Sequence, residues 1–178
     1  MSFSTQLTTF SPVPTNTRLL PPGVDKNPCS HLYPGSRAHS EPEIAALTDY
    51  VQNLHEKSPL SAYISLHSYR QMWLHPHGYT DDKPKDFDYF QRLSKMAVDE
   101  IKRTTGATYT YGQIPHLVYK VSGNAIDWSY DVLGIRTSFT VELRDTGHYG
   151  FLLPPEQIKP TSIEVWSALK KVLAAIEM

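Results

Sequence analysis

One ten-residue stretch, Ser138 to Gly147, constrains the fold of this 178-residue chain more than any other. It reads Ser-Phe-Thr-Val-Glu-Leu-Arg-Asp-Thr-Gly, so apolar and polar residues alternate before a turn, which predicts a β-strand. Glu142 lies on the polar face of this strand, near its carboxyl end. Open α/β folds usually bind their ligands at that edge, so Glu142 is a candidate general base. An ordinary surface pair of Glu142 with Arg144 also fits the pattern, since charged pairs are common on strands, and periodicity alone does not decide between the two interpretations.

The rest of the chain fits a single α/β domain with a mixed β-sheet covered by helices. Hydrophobic residues make up 40% of the chain, enough for a substantial core. Residues 1–22 are rich in Ser, Thr and Pro and are predicted to be irregular, which leaves a domain over 23–178. Apolar periodicity predicts helices over 40–55, 87–104, 126–133 and 161–178, a strand over 62–66, an extended segment over 71–79, and short strand and loop over 109–119.

Two of the predicted helices begin with a capping-box pattern, a Ser or Thr followed three residues later by a Glu. These pairs are Ser40 with Glu43 and Thr161 with Glu164. Each helix is also expected to bury one apolar face. The faces are Ile44, Leu47, Val51 and Leu54 in the first helix, and Trp166, Leu169, Leu173 and Ile176 in the last.

Charge and hydropathy argue against two classes of partner. The formal net charge is −1 and the basic residues are scattered, so no nucleic-acid partner is predicted. No apolar run approaches the roughly 20 residues that span a bilayer, so no membrane partner is predicted. The first residues also lack the charged and apolar regions of a signal peptide. Cys29 is the only cysteine, which excludes a disulfide within the chain.

Three stretches together resemble a known enzyme family. They are His67-Ser68-Tyr69, then Tyr119 to Tyr130 (YKVSGNAIDWSY), then Phe139 to Phe151 (FTVELRDTGHYGF). From about residue 23 to its end, the chain resembles the C-terminal portion of the zinc metallocarboxypeptidases of the pancreatic A/B type. The resemblance implies part of a larger catalytic domain, secretion, and proteolysis of a peptide or protein C-terminus. In that family a zinc-bound water, assisted by a glutamate, attacks the last peptide bond.

The resemblance assigns roles to individual residues. Glu142 matches the catalytic glutamate, and His67 looks like the third zinc ligand, although a lone histidine ending a buried strand is also typical of a hydrogen-bonded core residue. Tyr119 matches the mobile tyrosine that closes over substrate. His67 and Glu142 should therefore lie at one edge of one sheet, with Tyr119 in a nearby loop.

The resemblance also describes a substrate pocket. Ile126 looks like its floor, where members specific for basic residues have an aspartate. Because burying an unpaired charge is costly, an apolar floor favours aliphatic or aromatic C-terminal residues. The other substrate-binding residues that the resemblance implies are Ser68, Tyr69, Thr140 and Phe151.

Some parts of the family's site are not found in this sequence. The family's first two zinc ligands come from an upstream His-x-x-Glu motif, and none of the 8 histidines here has a Glu three positions later. Asn27 to Ser30 resembles a family segment whose cysteine pairs with an earlier one, and no earlier cysteine is present. His75 and His77 offer an alternative chelate on an extended segment. Two functions remain open: a zinc-dependent carboxypeptidase and a non-catalytic, carboxypeptidase-like fragment.

Overall fold

The computed structural model describes residues 23–176, and the predicted irregular segment over 1–22 lies outside them. The described chain is a mixed α/β structure, as predicted. Its strands are β1 (Ala62–His67), β2 (Met72–His75), β3 (Thr110–Gln113) and β4 (Thr137–Glu142). Its α-helices are α1 (Pro42–Lys57), α2 (Phe87–Thr105), α3 (Ile114–Leu117), α4 (Ala125–Asp131) and α5 (Ile158–Leu173), the last preceded by a 3-10 turn at Pro155–Gln157.

The four strands form one mixed sheet in the order β1-β4-β2-β3. β4 is parallel to β1 and antiparallel to β2, and β2 is parallel to β3. β4 therefore has a hydrogen-bonded neighbour on each side, which suits its alternating apolar side chains. Its central position confirms that the segment beginning at Ser138 is a core strand.

One face of the sheet packs against the pair of helices α2 and α5. Phe139 and Val141 of β4 and Trp73 of β2 are each 0% exposed on this face. The buried face of α2 lies over them, with Phe90 and Leu93 in the same core cluster. α2 ends as predicted at Gly106, whose φ of 79° is a left-handed conformation that glycine adopts readily.

The opposite face of the sheet carries the predicted site residues. Because side chains alternate along a strand, Thr140 and Glu142 project from the face opposite Phe139 and Val141. Leu74 of β2 is the register partner of Thr140. It packs in a second apolar cluster with Ile126 of α4, so this face is covered in part by α4 and the loops around it.

The predicted start of the first helix is wrong. α1 begins at Pro42, and Glu41 precedes it without a side-chain capping bond. The Ser40 hydroxyl instead donates to a Glu41 carboxylate oxygen at 2.8 Å, which takes it out of the predicted capping box. Thr48 and Val51 are the buried residues of α1, whereas the predicted inward residue Leu47 is 42% exposed.

The prediction for the last helix is also wrong in its start, and its predicted apolar stripe is buried only in part, with Leu169 packed against the main core cluster and Leu173 47% exposed. α5 begins at Ile158, and Thr161 lies within it, donating its hydroxyl to the Gln157 carbonyl at 2.6 Å. Trp166 of the predicted apolar stripe is 60% exposed. The buried residues are Thr161, Glu164, Ala168 and Val172. Glu164, on the buried side of this helix, forms an ion pair with Arg144, and Ala168 and Val172 pack in the main core cluster.

The remaining helix boundaries move by a few residues. α4 begins at Ala125 with Asn124 as a genuine N-cap and ends at Asp131, two residues before the predicted end. The ambiguous segment over 109–119 contains β3 and the single turn of α3. Within residues 23–176, no helix combines the length and hydropathy needed to cross a membrane.

Candidate active site

His67 and Glu142 are the last residues of two adjacent parallel strands. They are register partners in the β1–β4 pair, so their side chains project from the same face of the sheet. The Leu143 amide donates to the His67 carbonyl at 2.8 Å and continues the pairing one residue beyond. The expectation that the two residues lie at one edge of one sheet is confirmed.

Glu142 has the environment of a carboxyl group that exchanges protons near neutral pH. Burial raises its pKa to about 7, and the positive charge of Arg70 opposes that shift. A carboxyl with a pKa in this range can serve as a general base and then as an acid. The surface pair of Glu142 with Arg144 is not formed, because Arg144 pairs with Glu164.

His67 is partly buried and hydrogen-bonded. Its Nε2 lies 2.8 Å from the Ser65 hydroxyl, on the same strand and the same face. Burial lowers the pKa of the His67 imidazole, which favours the neutral form. Neutral imidazole is the form that binds metals, and a hydrogen bond to one ring nitrogen commonly orients the ring of a metal ligand. Sequence reasoning missed Ser65.

Tyr69 and Phe151 come together although 82 positions separate them in sequence. Their rings meet edge to face, with centroids 5.1 Å apart, next to the end of β1. Gly150 lies so close that a Cβ there would be 3.2 Å from Tyr69 Cε1. Asp145 holds this loop by accepting the amides of Gly147, Tyr149 and Gly150 at 2.6 to 3.1 Å.

The other predicted substrate residues differ widely in their exposure. Tyr119 is 53% exposed in the loop between α3 and α4. Ile126 is 0% exposed and packs in the cluster with Leu74, Ile114 and Val121. Thr140 projects from the same face as Glu142, and Ser68 follows β1 directly. Thr140 and Ile126 therefore lie on the same side of the sheet, because Leu74 is the register partner of Thr140 and packs against Ile126.

A buried carboxylate that sequence reasoning missed holds the loops beside Ile126. Asp127 accepts the Gly78 amide with both carboxylate oxygens, at 3.0 and 2.9 Å, and accepts the Asn124 side-chain amide at 2.7 Å. The Val121 amide donates to the Gly78 carbonyl at 2.9 Å. Burial raises the pKa of Asp127 to about 6. These hydrogen bonds connect the loop after β2 to the loop that carries Tyr119. The only sequence signal for Asp127 was its place in the family motif around Ile126.

The metal-ligating residues do not form a complete site. A catalytic zinc normally takes three protein ligands, and residues 23–176 contain no group of three or more His, Cys, Asp or Glu side chains placed to hold a metal ion. The alternative chelate also fails. His75 Nε2 lies 2.9 Å from the Gln91 amide, whereas His77 Nε2 lies 3.1 Å from Asp131 Oδ1. Each imidazole is hydrogen-bonded to a different side chain, so the two rings are not directed at one common metal position.

Comparison with known proteins identifies the family. The sequence model of the M14 peptidases, described as zinc carboxypeptidase, matches residues 16–168. The chain belongs to the zinc carboxypeptidase family. It is 45% identical to carboxypeptidase A2 of Mus musculus over 152 residues, which cover 85% of this chain. It is 44% identical to carboxypeptidase B of Bos taurus over 154 residues, or 86% of this chain.

Solved structures of this family share the fold. Bovine thrombin-activatable fibrinolysis inhibitor, in complex with tick carboxypeptidase inhibitor, matches with a TM-score of 0.82 and 37% identity. That match covers 87% of this chain and 52% of the other. Carboxypeptidase A from Helicoverpa armigera matches with a TM-score of 0.78 and 25% identity, over 87% of this chain and 39% of that one.

Several features of the family comparison bear on the site. The chain spans 36% of the length of the A2 and B relatives that it matches. The family implies zinc, although residues 23–176 contain no group of three or more side chains placed to hold a metal ion. Relatives named carboxypeptidase A2 and carboxypeptidase B are almost equally similar to this chain. Cys29, expected to pair in the family, is a free and exposed cysteine.

Proposed function

We propose that this chain supplies the general base and the substrate-binding part of a zinc-dependent carboxypeptidase, which removes C-terminal residues from peptides and proteins. The observation that supports this most is the pairing of His67 with Glu142. In a chain of this family, an imidazole and a carboxyl group end adjacent parallel strands on one face. An extracellular site of action is part of this proposal, as the family resemblance implies.

Glu142 is the proposed catalytic residue. Its carboxylate accepts a proton from the water that attacks the scissile carbonyl, and then passes that proton to the leaving amine as the carbon–nitrogen bond breaks. Proton transfer of this kind typically contributes about 10² to 10⁴ in rate. The pKa of about 7 supports the proposal, because a base with that pKa is partly ionised at neutral pH and still binds a proton strongly enough to take it.

The proposed substrate is a peptide with an apolar C-terminal residue. Ile126 offers no charge to a Lys or Arg side chain, and its neighbours Leu74, Ile114 and Val121 are also apolar. We assign substrate contacts to Ser68, Tyr69, Tyr119, Thr140 and Phe151. The edge-to-face contact between the rings of Tyr69 and Phe151 forms an aromatic surface near the end of β1, which supports this assignment.

Zinc is the proposed cofactor, with His67 as one ligand. The other ligands have to come from outside residues 23–176, either from a longer form of the chain or from a second polypeptide. The second candidate function is a non-catalytic carboxypeptidase-like fragment. The specific observation that favours it is the lack of a three-ligand group among the described residues.

The test compares residues 1–178 alone with the same chain mixed with the upstream portion of a related carboxypeptidase that carries His-x-x-Glu. Zinc content after dialysis and release of C-terminal Phe and Lys are measured. We expect the chain alone to retain little zinc and to release neither residue. In the mixture we expect zinc retention and faster release of Phe than Lys.

The matched control is Glu156→Gln, since Glu156 is an exposed carboxylate in the 3-10 turn before α5, outside the sheet. Glu142→Gln should abolish turnover in the mixture, and Glu156→Gln should leave it unchanged. Stoichiometric zinc in the chain alone, with turnover that depends on Glu142, would contradict the need for outside ligands. A well-folded mixture without turnover would favour the non-catalytic fragment.

A further inference from the structure

Glu164 is a carboxylate that the proposed mechanism does not use. It lies in the second turn of α5, is 0% exposed, and accepts hydrogen bonds from Thr105, Tyr109 and Arg144. The Thr105 hydroxyl at the end of α2 donates to Oε1 at 2.9 Å, and the Tyr109 hydroxyl before β3 donates to Oε2 at 3.2 Å. A buried carboxylate needs a partner for its charge, and the third contact supplies it, because Arg144 is positively charged.

Arg144 grips Glu164 with two of its nitrogens. Nε lies 3.0 and 2.9 Å from the two carboxylate oxygens, and Nη2 also donates to Oε1. The remaining nitrogen, Nη1, donates to the Gln157 side-chain carbonyl at 2.6 Å. The fork geometry of a guanidinium on a carboxylate fixes orientation as well as distance. The hydrogen bond to Glu164 raises the pKa of Arg144, so the ion pair stays charged.

The position of Arg144 in sequence connects this ion pair to the candidate active site. Arg144 is two residues beyond Glu142, at the point where β4 leaves the sheet. The next residue, Asp145, organises the loop that brings Gly150 and Phe151 against Tyr69. Because its guanidinium is bound to α5, Arg144 restrains the backbone before it, which carries Glu142, and the loop after it, which carries Gly150 and Phe151.

We propose that Glu164 is a positioning residue that acts through Arg144 to fix Glu142 and the Asp145 loop in place. The catalytic meaning of this inference rests on the proposed function. The inference that Glu164 fixes the Asp145 loop does not rest on it, because the position of that loop can be measured whether or not the chain turns over substrate. A misplacement of about 1 Å in a catalytic group can lower a rate by roughly 10²-fold, so such an anchor matters to catalysis.

The first experiment is an NMR measurement on Glu164→Gln in the full 178-residue chain. Gly150 lies against the Tyr69 ring, so its α-protons should show a ring-current shift and a nuclear Overhauser effect to that ring. We expect Glu164→Gln to reduce both by at least about half, because Arg144 loses its charged partner. The control is Val172→Ala, a 0% exposed residue of the same helix outside the ion-pair network, which should destabilise the chain and leave the Gly150 signals unchanged.

A milder variant covers the case in which Glu164→Gln does not fold. Gln157→Ala removes only the contact to Arg144 Nη1 and should shift the Gly150 signals in the same direction by a smaller amount. Gly150 signals that match the wild type in the folded variant would overturn the proposal. An equal change in Val172→Ala would do so too, since it would reflect stability alone.

The second experiment measures kinetics in the mixture with the upstream carboxypeptidase portion. We expect Glu164→Gln to lower kcat about 10-fold or more with a change in KM below about threefold, and Val172→Ala to leave both unchanged. If the wild-type mixture is inactive, the proposed function fails, and the Gly150 signals still decide whether Glu164 positions the loop. If the wild type is active and kcat of the variant is unchanged, positioning of Glu142 is refuted.

Discussion

Glu142 ends β4 partly buried, where the folded chain disfavours its charged form. Burial raises its pKa from the ordinary value of 4.5 to about 7. A group whose folded pKa exceeds its unfolded pKa stabilises the fold below the unfolded value. That stability is lost as the pH rises between the two values and stays lost above the folded one. The window for Glu142 therefore runs from about pH 4.5 to about pH 7.

We expect Glu142→Gln to raise the free energy of unfolding by about 2 to 3 kcal/mol at pH 8, since the neutral amide avoids the cost of a buried charge. The gain should shrink as the pH falls through 7 and vanish below about 4.5, where the wild-type carboxyl is neutral in both states. Urea unfolding at pH 4, 5.5, 7 and 8 measures it. Glu156→Gln should show no such trend, and a gain for Glu142→Gln that is constant with pH would contradict the assignment.

At the scale of elements, the positions of several site residues depend on the loops between helices and strands. Two hydrogen-bonded carboxylates organise these connections, Asp127 in the first turn of α4 and Asp145 after β4. Gly78 fits beside Asp127 and Asn124 only because it lacks a side chain, as a Cβ there would lie 2.5 Å from Asn124 Nδ2. The helix that carries Ile126 is therefore placed by its N-terminal contacts.

We expect Asn124→Ala to lower the free energy of unfolding by about 1 to 2 kcal/mol. Asn124 accepts the Asp127 amide at 2.9 Å as the N-cap of α4 and also donates to the Asp127 carboxylate, so both contacts are lost together. Chemical denaturation gives the value. Asn53→Ala, on the exposed face of α1, is the matched control and should change stability by less than about 0.5 kcal/mol. Equal effects of the two substitutions would show that the cap is not stabilising.

At the scale of the whole molecule, the described chain presents a sheet edge with apolar surface. Among the described strands β1 pairs with β4 alone, and Leu66 of β1 is 52% exposed. Other large apolar side chains are exposed on α1, including Tyr50 at 66% and Leu54 at 37%. An edge strand with exposed apolar residues favours pairing between chains.

We expect the 178-residue chain to self-associate as its concentration rises, because an open β1 edge can pair with another copy. Leu66→Lys should reduce this association, since a charge on an edge strand opposes pairing. Sedimentation velocity over a range of concentrations measures both. Leu152→Lys is the control, because Leu152 is 85% exposed in a loop and lies outside the sheet. A monomeric wild type, or equal effects of the two substitutions, would argue against β1 as the contact.

The sequence by itself determined the features that follow from local pattern and from the family motifs. The alternation after Ser138 sufficed for β4, because a strand with one buried face needs a period of two. Apolar spacing and a terminal glycine sufficed for α2, since both signals are local to the helix. The motifs around His67 and Glu142 likewise sufficed for the family and for the edge at which these residues meet.

Only the tertiary structure decided which face of α5 is buried and what holds the end of β4. Glu164 has the local sequence of a capping residue, and its burial depends on Arg144, 20 positions away, which no local pattern records. Trp166 is 60% exposed, whereas the smaller apolar residues Ala168 and Val172 of the same helix pack in the core with α2 and the sheet. Asp127 and Asp145 were missed for the same reason. Their roles come from backbone amides of loops, and loop contacts depend on how distant segments pack together.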